Sequence, residues 1–169
     1  DRPEPLLSYD LIRGVPERVD YKGAVIRELA EEETETAIRY LIERKGVEAI
    51  AVCFLWSFKN PDHEIRVADI VRRISDDTFV TTSSEVAPVP GEYERSSTTV
   101  ISAFGGRIAH GYLTHMQRLL EECDYDGPLL VMQGYGGLLP AEEAARRCVG
   151  MIECGPAAGV LGSKFLGDI

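Results

Sequence analysis

Residues Ala49–Leu55 read AIAVCFL, an unbroken apolar run. The run is too short to span a membrane and too uniformly apolar for a strand with one wet face. It reads as a strand buried on both faces, the kind found in parallel sheets. Asn60 then precedes Pro61, the order expected at a helix N-cap and first turn. Pro61–Ile74 reads as a helix that turns Ile65, Val67, Ala68, Ile70 and Val71 inward, and Phe79–Ser83 follows as a second strand. Upstream, Glu31–Lys45 carries Ala37, Ile38, Leu41 and Ile42 at helical spacing, with Gly46 as its C-terminal stop. The alternation of strands and helices predicts an α/β fold, a mostly parallel sheet covered by helices.

The remaining chain reads as follows. Residues 1–14 are Pro-rich and polar and read as an arm or connector, leaving 15–169 as a single α/β domain. Glu17–Asp20 and Ala24–Leu29 suit a β-hairpin around Tyr21-Lys22-Gly23. A long helix is expected from about Tyr93 to Cys123, with Gly105, Gly106 and Gly111 as places where it can kink or split. Leu129–Gln133 reads as a strand, Ala141–Arg147 as a short helix after Pro140, Met151-Ile152 as a last short strand, and Pro156 as the start of a final helix.

Charge narrows the partners. The net charge is −10, from 28 acidic and 18 basic residues, so most of the surface repels a phosphate backbone and no nucleic-acid partner is expected. The acidic stretch Glu28–Glu35 fits a solvated helix start, where carboxylates meet the positive end of the helix dipole. No apolar run approaches the roughly 18 residues of a membrane span, and no signal peptide is visible. Cys53, Cys123, Cys148 and Cys154 form no C-x-x-C pair, which argues against a structural zinc site and fits a reducing cytoplasm. Cys53 reads as a small buried hydrophobe.

Three stretches can carry chemistry. Glu153-Cys154-Gly155-Pro156-Ala157-Ala158-Gly159 joins a tight turn to a helix start whose free N–H groups and dipole suit an anion such as a phosphate. The same small residues suit a close helix–sheet contact without any ligand. Gln133-Gly134-Tyr135-Gly136-Gly137 closes a strand, and the carboxyl edge of an open parallel sheet is where ligands bind; a plain tight turn is the other reading. Glu92–Thr99 packs Glu94, Arg95, Thr98 and their hydroxyl neighbours just after a Pro-rich turn, suited to a carboxylate or phosphate or to ordinary helix capping. His63-Glu64 reads as a solvated pair in a first helical turn. His110 and His115 are five apart and face different sides of a helix, which argues against a shared metal. Arg66, Arg72 and Arg73 read as solvated helix positions.

These motifs, taken in order, resemble the hydantoinase A/5-oxoprolinase family, which includes the subunits of acetone and acetophenone carboxylases. The resemblance rests on Pro16–Asp20, Gly46–Cys53, Leu55–Glu64, Ser84–Val86, Glu92–Val100, Gly127–Gln133 and Gly155–Gly159. It implies a lobe of the sugar kinase/Hsp70/actin group, which is ribonuclease H-like, and use of ATP with Mg²⁺ either to open a cyclic amide or to carboxylate a ketone. It also implies a small-molecule substrate and a second subunit or homo-oligomer. Gly136, Gly137, Gly155, Pro156, Ala157, Ala158 and Gly159 would then approach the nucleotide. Glu94, Arg95, Thr98, Gln133 and Tyr135 would approach the substrate. No nucleophile, general base or metal ligand is assigned.

The chain departs from the family pattern at two places. Gly134 and Tyr135 stand where the family commonly has Ser-Asn, and Cys154 stands where it commonly has Ser. The changes remove small polar groups, and they motivate a third reading, a non-catalytic scaffold that kept the fold. The family's Asp-x-Gly-Gly-Thr phosphate loops do not occur in these residues, so an internal segment of a longer polypeptide is expected, with ATP and Mg²⁺ bound mainly outside it.

Overall fold

The structure is a computed structural model that describes residues 5–168. The part of the expected arm at residues 1–4, and residue 169, lie outside the described residues. The chain falls into two compact units, Asp1–Ala103 and Phe104–Ile169.

In the first unit, β1 (Arg18–Val19) and β2 (Val25–Arg27) form the antiparallel hairpin expected from the sequence. Its turn is held by the Asp20 carboxylate, which accepts from the backbone N–H groups of Lys22 and Ala24. Helix α1 (Glu31–Arg39) runs on into a π-helical turn, Tyr40–Arg44. Strand β3 (Ala49–Val52) pairs in parallel with β4 (Phe79–Thr82), and α2 (Asp62–Ile74) makes the crossover between them. Leu29, Ile38, Ile50, Val52, Val67, Ile70 and Val71 form the core, with Val15, Phe54 and Val80 packed against it. Fully burying side chains of this size contributes about 1.5–3 kcal/mol each. The described end of the arm is tied to this unit. Asp10 pairs with Lys45, and the Arg13 guanidinium lies 4.4 Å over the Tyr40 ring.

Helix α3 (Ser83–Val86) follows β4 directly, and α4 (Glu92–Glu122) begins in the first unit and ends in the second. α4 is a single helix, so its glycines do not split it. In the second unit, β5 (Leu130–Met132) and β6 (Leu138–Pro140) form an antiparallel hairpin. Helix α5 (Ala141–Arg146) packs its alanines with Leu113 into a small core, and α6 (Cys154–Gly167) closes the chain.

Several expectations are corrected. The sheet is not mostly parallel: among the described residues one pair is parallel and two are antiparallel. The apolar run at Ala49 ends as a strand at Val52, and Cys53 beyond it is half-buried. Ile65 is exposed, because it shares a face of α2 with Asp62, Asp69 and Arg72. Met151 lies in a 3₁₀ turn (Cys148–Met151) and not in a strand. Arg66 and Arg72 are solvated helix positions as expected, and each is also ion-paired: Arg66 lies 2.6 Å from Glu31 and 3.1 Å from Glu28, and Arg72 lies 2.8 Å from Asp69. All of these pairs are exposed, where a salt bridge contributes about 0–1 kcal/mol.

Candidate functional site

The parallel pair has one carboxyl edge, at Val52 and Thr82. The segments that leave this edge are the loop 53–60 and helix α3. They enclose a cleft lined by Ser57, Phe58, Thr82, Ser84, Glu85 and Pro88. This is the edge at which open parallel sheets bind ligands.

Beneath the cleft lies a buried polar network. Glu64 is fully buried, and its Oε1 accepts from the Phe54 N–H at 2.8 Å and from the Ser83 hydroxyl at 2.6 Å. Its Oε2 accepts from the Ser84 N–H at 2.8 Å. Ser83 therefore uses its one proton on Glu64, and the Ser57 hydroxyl, 3.0 Å from Ser83, donates to it. Ser57 thus offers only acceptor lone pairs to any other group. Next along α2, the His63 Nδ1 lies 2.8 Å from the buried Glu17 carboxylate, while its buried Nε2 makes no hydrogen bond and lies 3.8 Å from the Glu28 carboxylate. The solvated reading of His63-Glu64 is therefore wrong. The periodicity contained the signal: Glu64 shares a stripe with Val67, Ala68 and Val71, and His63 shares one with Val67 and Ile70.

Arg95, in the first turn of α4, has no exposed surface. Its Nη2 donates to the Phe54 carbonyl at 2.6 Å, and its guanidinium lies 5.4 Å from the centre of the Phe58 ring. Glu64 and Arg95 thus hold the N–H and the C=O of the same residue, Phe54. This anchors the loop in which Trp56 adopts a left-handed φ of 61°. Near Arg95 on α4, Glu94 is exposed and the Thr98 hydroxyl donates to the Glu94 carbonyl at 2.7 Å.

The remaining sequence candidates lie in the second unit. Gln133 through Gly137 form the turn of the β5–β6 hairpin, so the carboxyl edge of a parallel sheet, the premise for that stretch, is not what the structure has there. Gly136 and Gly137 have φ of 92° and 86°, which the turn requires and which other residues rarely adopt. Gln133 is buried, donates to the Val131 carbonyl at 3.1 Å and accepts from the Tyr135 hydroxyl at 3.4 Å, while most of Tyr135 is exposed. The structure accounts for Gly134 in place of the family's Ser: a Cβ there would collide with the Ile152 carbonyl oxygen. Glu153 precedes α6 with φ of 60°, and Gly155, Pro156, Ala157, Ala158 and Gly159 make its first turns. A Cβ on Gly155 or Gly159 would meet no atom within 4 Å, so no described packing contact demands glycine there.

Sequence and structure comparisons fit these observations. Residues 2–75 match the model of the hydantoinase/oxoprolinase N-terminal region, and residues 95–169 match the hydantoinase/oxoprolinase model. The chain is 37% identical to the acetophenone carboxylase gamma subunit of Aromatoleum aromaticum, over 99% of this chain and 23% of the relative. It superposes on the nucleotide-free structure of an ATP-dependent acetone carboxylase with a TM-score of 0.84 and 32% identity, covering 99% of this chain and 24% of that one. It superposes on the ATP-dependent caprolactamase of Pseudomonas jessenii with a TM-score of 0.68 and 36% identity, covering 76% of this chain and 18% of that one. The chain thus spans about a quarter or less of the length of these relatives.

Proposed function

The chain belongs to the hydantoinase/oxoprolinase family, and on that premise we propose that it is part of an ATP-dependent cyclic-amide hydrolase and forms one wall of its nucleotide and substrate cleft. The carrying observation is that two solved relatives, an acetone carboxylase and a caprolactamase, are ATP-dependent. Each starts from a carbonyl compound of low reactivity. Transfer of the ATP γ-phosphoryl group to the amide oxygen, with ADP leaving, would make the carbon a good electrophile. Water would add there, the C–N bond would break with the nitrogen leaving as an amine, and hydrolysis of the remaining acyl phosphate would release phosphate and the open-chain acid.

The first turn of α6 fits a nucleotide phosphate. The N–H groups of Cys154 and Gly155 have no acceptor within the helix, and the space over Gly155 and Gly159 is open. Gly136 and Gly137 supply a second stretch of bare backbone. For Mg²⁺ the described residues do not fit, since none of their His, Cys, Asp and Glu side chains cluster in threes or more. In this reading the metal is held by the phosphates and by parts of the enzyme beyond these residues. The substrate would meet the cleft at the carboxyl edge of β3 and β4. There Ser57 offers an acceptor suited to an amide N–H, and Arg95 a donor set suited to an oxygen. Glu94 and Thr98 of the same unit are further candidate contacts, and Gln133 and Tyr135 of the second unit are substrate candidates by the family resemblance alone.

A second reading, a subunit of an ATP-dependent ketone carboxylase, is favoured by the near-complete superposition on acetone carboxylase. In either reading a partner subunit is proposed, as the acetophenone carboxylase relative is itself a gamma subunit. No helix among the described residues is long and apolar enough to cross a membrane, and a cytoplasmic enzyme is proposed. The test is ATP turnover by the purified full-length protein with hydantoins, 5-oxoproline, caprolactam, or ketones plus bicarbonate. Stimulation by a cyclic amide supports the hydrolase, and stimulation only by a ketone with bicarbonate replaces it with the carboxylase. No stimulation by any of them sinks both and leaves the scaffold reading.

A further inference from the structure

We propose that Arg95 is the receptor of a small oxyanion that enters through the cleft beside Phe58. The inference rests on the cleft being a substrate site and adds the chemical class of one of its occupants.

Arg95 is wholly buried, and a guanidinium keeps its charge in proteins. One bond is made, from Nη2 to the Phe54 carbonyl. The N–H groups on Nε and Nη1 are buried and have no acceptor. Among the described residues no carboxylate pairs with it; the buried Glu64 is occupied by Phe54, Ser83 and Ser84. A buried cation without an anion is strongly disfavoured, because its lost hydration is not replaced. The Phe58 ring under the guanidinium and the Phe54 carbonyl offset only part of that loss.

The position supplies the route: the Phe58 ring, whose centre lies 5.4 Å from the Arg95 guanidinium, also lines the cleft and is half-buried, so the route the proposal requires is a turn of this one side chain. The donors form a planar fork, which matches the paired oxygens of a carboxylate, bicarbonate or phosphate. Ser57, next to Phe58, offers an acceptor, so an oxyanion that still carries an O–H or an N–H, such as bicarbonate, satisfies both.

The experiment titrates the full-length protein with sodium bicarbonate, acetate or inorganic phosphate at ionic strength held constant with chloride. Thermal unfolding and the Arg side-chain Nε–H signals in ¹⁵N NMR are read together. Saturable stabilisation by one of the three anions, with movement of a buried Arg Nε–H signal that is missing in Arg95→Gln, is the expected result. The saturating anion also identifies the source, carboxylate-like or phosphate. Arg95→Gln should weaken the apparent affinity on the order of tenfold or more, and Arg95→Lys should keep part of it. A stabilisation no greater than that of chloride, or an unmoved Arg95 signal in the wild type, overturns the proposal even if Arg95→Gln fails to fold. Saturable binding retained by Arg95→Gln overturns it as well. Anion binding without substrate-stimulated ATP hydrolysis would sink only the enzyme reading, and the converse only this one.

Discussion

The two units treat apolar and polar groups in opposite ways. The first encloses an aliphatic core and, within it, the carboxylate of Glu64 and the guanidinium of Arg95. The second has a core built largely from three alanines and one leucine, and its last helix buries no residue at all. Val160, Phe165 and Leu166 on α6 are each about 70% exposed. The difference separates two kinds of sequence motif. In the first unit, Glu64 and Arg95 are interior groups locked by their own chain. In the second, Gly155 and Gly159 face open space, and their smallness answers to no described neighbour.

The comparison breaks most easily in the two cores. Ile70→Ala should cost about 2–5 kcal/mol in urea unfolding, as a cavity in a closed core does, while Phe165→Ala should stay within about 0.5 kcal/mol. Equal losses would mean that α6 is covered in the intact protein. Glu64→Ala comes next. It leaves the N–H groups of Phe54 and Ser84 without acceptors and should cost about 2–4 kcal/mol, whereas a true surface glutamate would cost almost nothing. Gly134→Ser, which restores the common family residue, should destabilise by about 1–3 kcal/mol through the clash with the Ile152 carbonyl; a neutral result would show that the Ile152 backbone gives way.

The smallest effect is at the arm. The hydrogen bond from Lys45, with lesser help from Ser8, lowers the Asp10 carboxyl from 3.8 to about 2. A lowered folded-state value means that the pair stabilises above pH 3.8 and that this contribution is lost as the pH falls toward 2. The pair is exposed, so the difference in melting temperature between wild type and Asp10→Asn should be slight at pH 6 and vanish near pH 2. A difference that grows on acidification would contradict it.

The sequence alone determined the hairpin at Tyr21, the strand–helix–strand unit around α2 and the helical character of the stretch from Tyr93 to Cys123, and its motifs carried the family resemblance. Each depends on neighbours a few residues apart, which the order of side chains specifies directly. Only the tertiary structure decided that Leu129–Gln133 pairs with Leu138–Pro140 instead of joining a parallel sheet, since a strand's partner is chosen by contacts and turn geometry rather than by its own apolar content. It alone decided that His63 and Glu64 turn inward, because a polar residue on an apolar stripe is buried only if distant groups such as Glu17, Phe54, Ser83 and Ser84 arrive to satisfy it. And it alone left Arg95 inside with no carboxylate beside it, because the charge of a residue can be read from its name and the absence of a partner cannot.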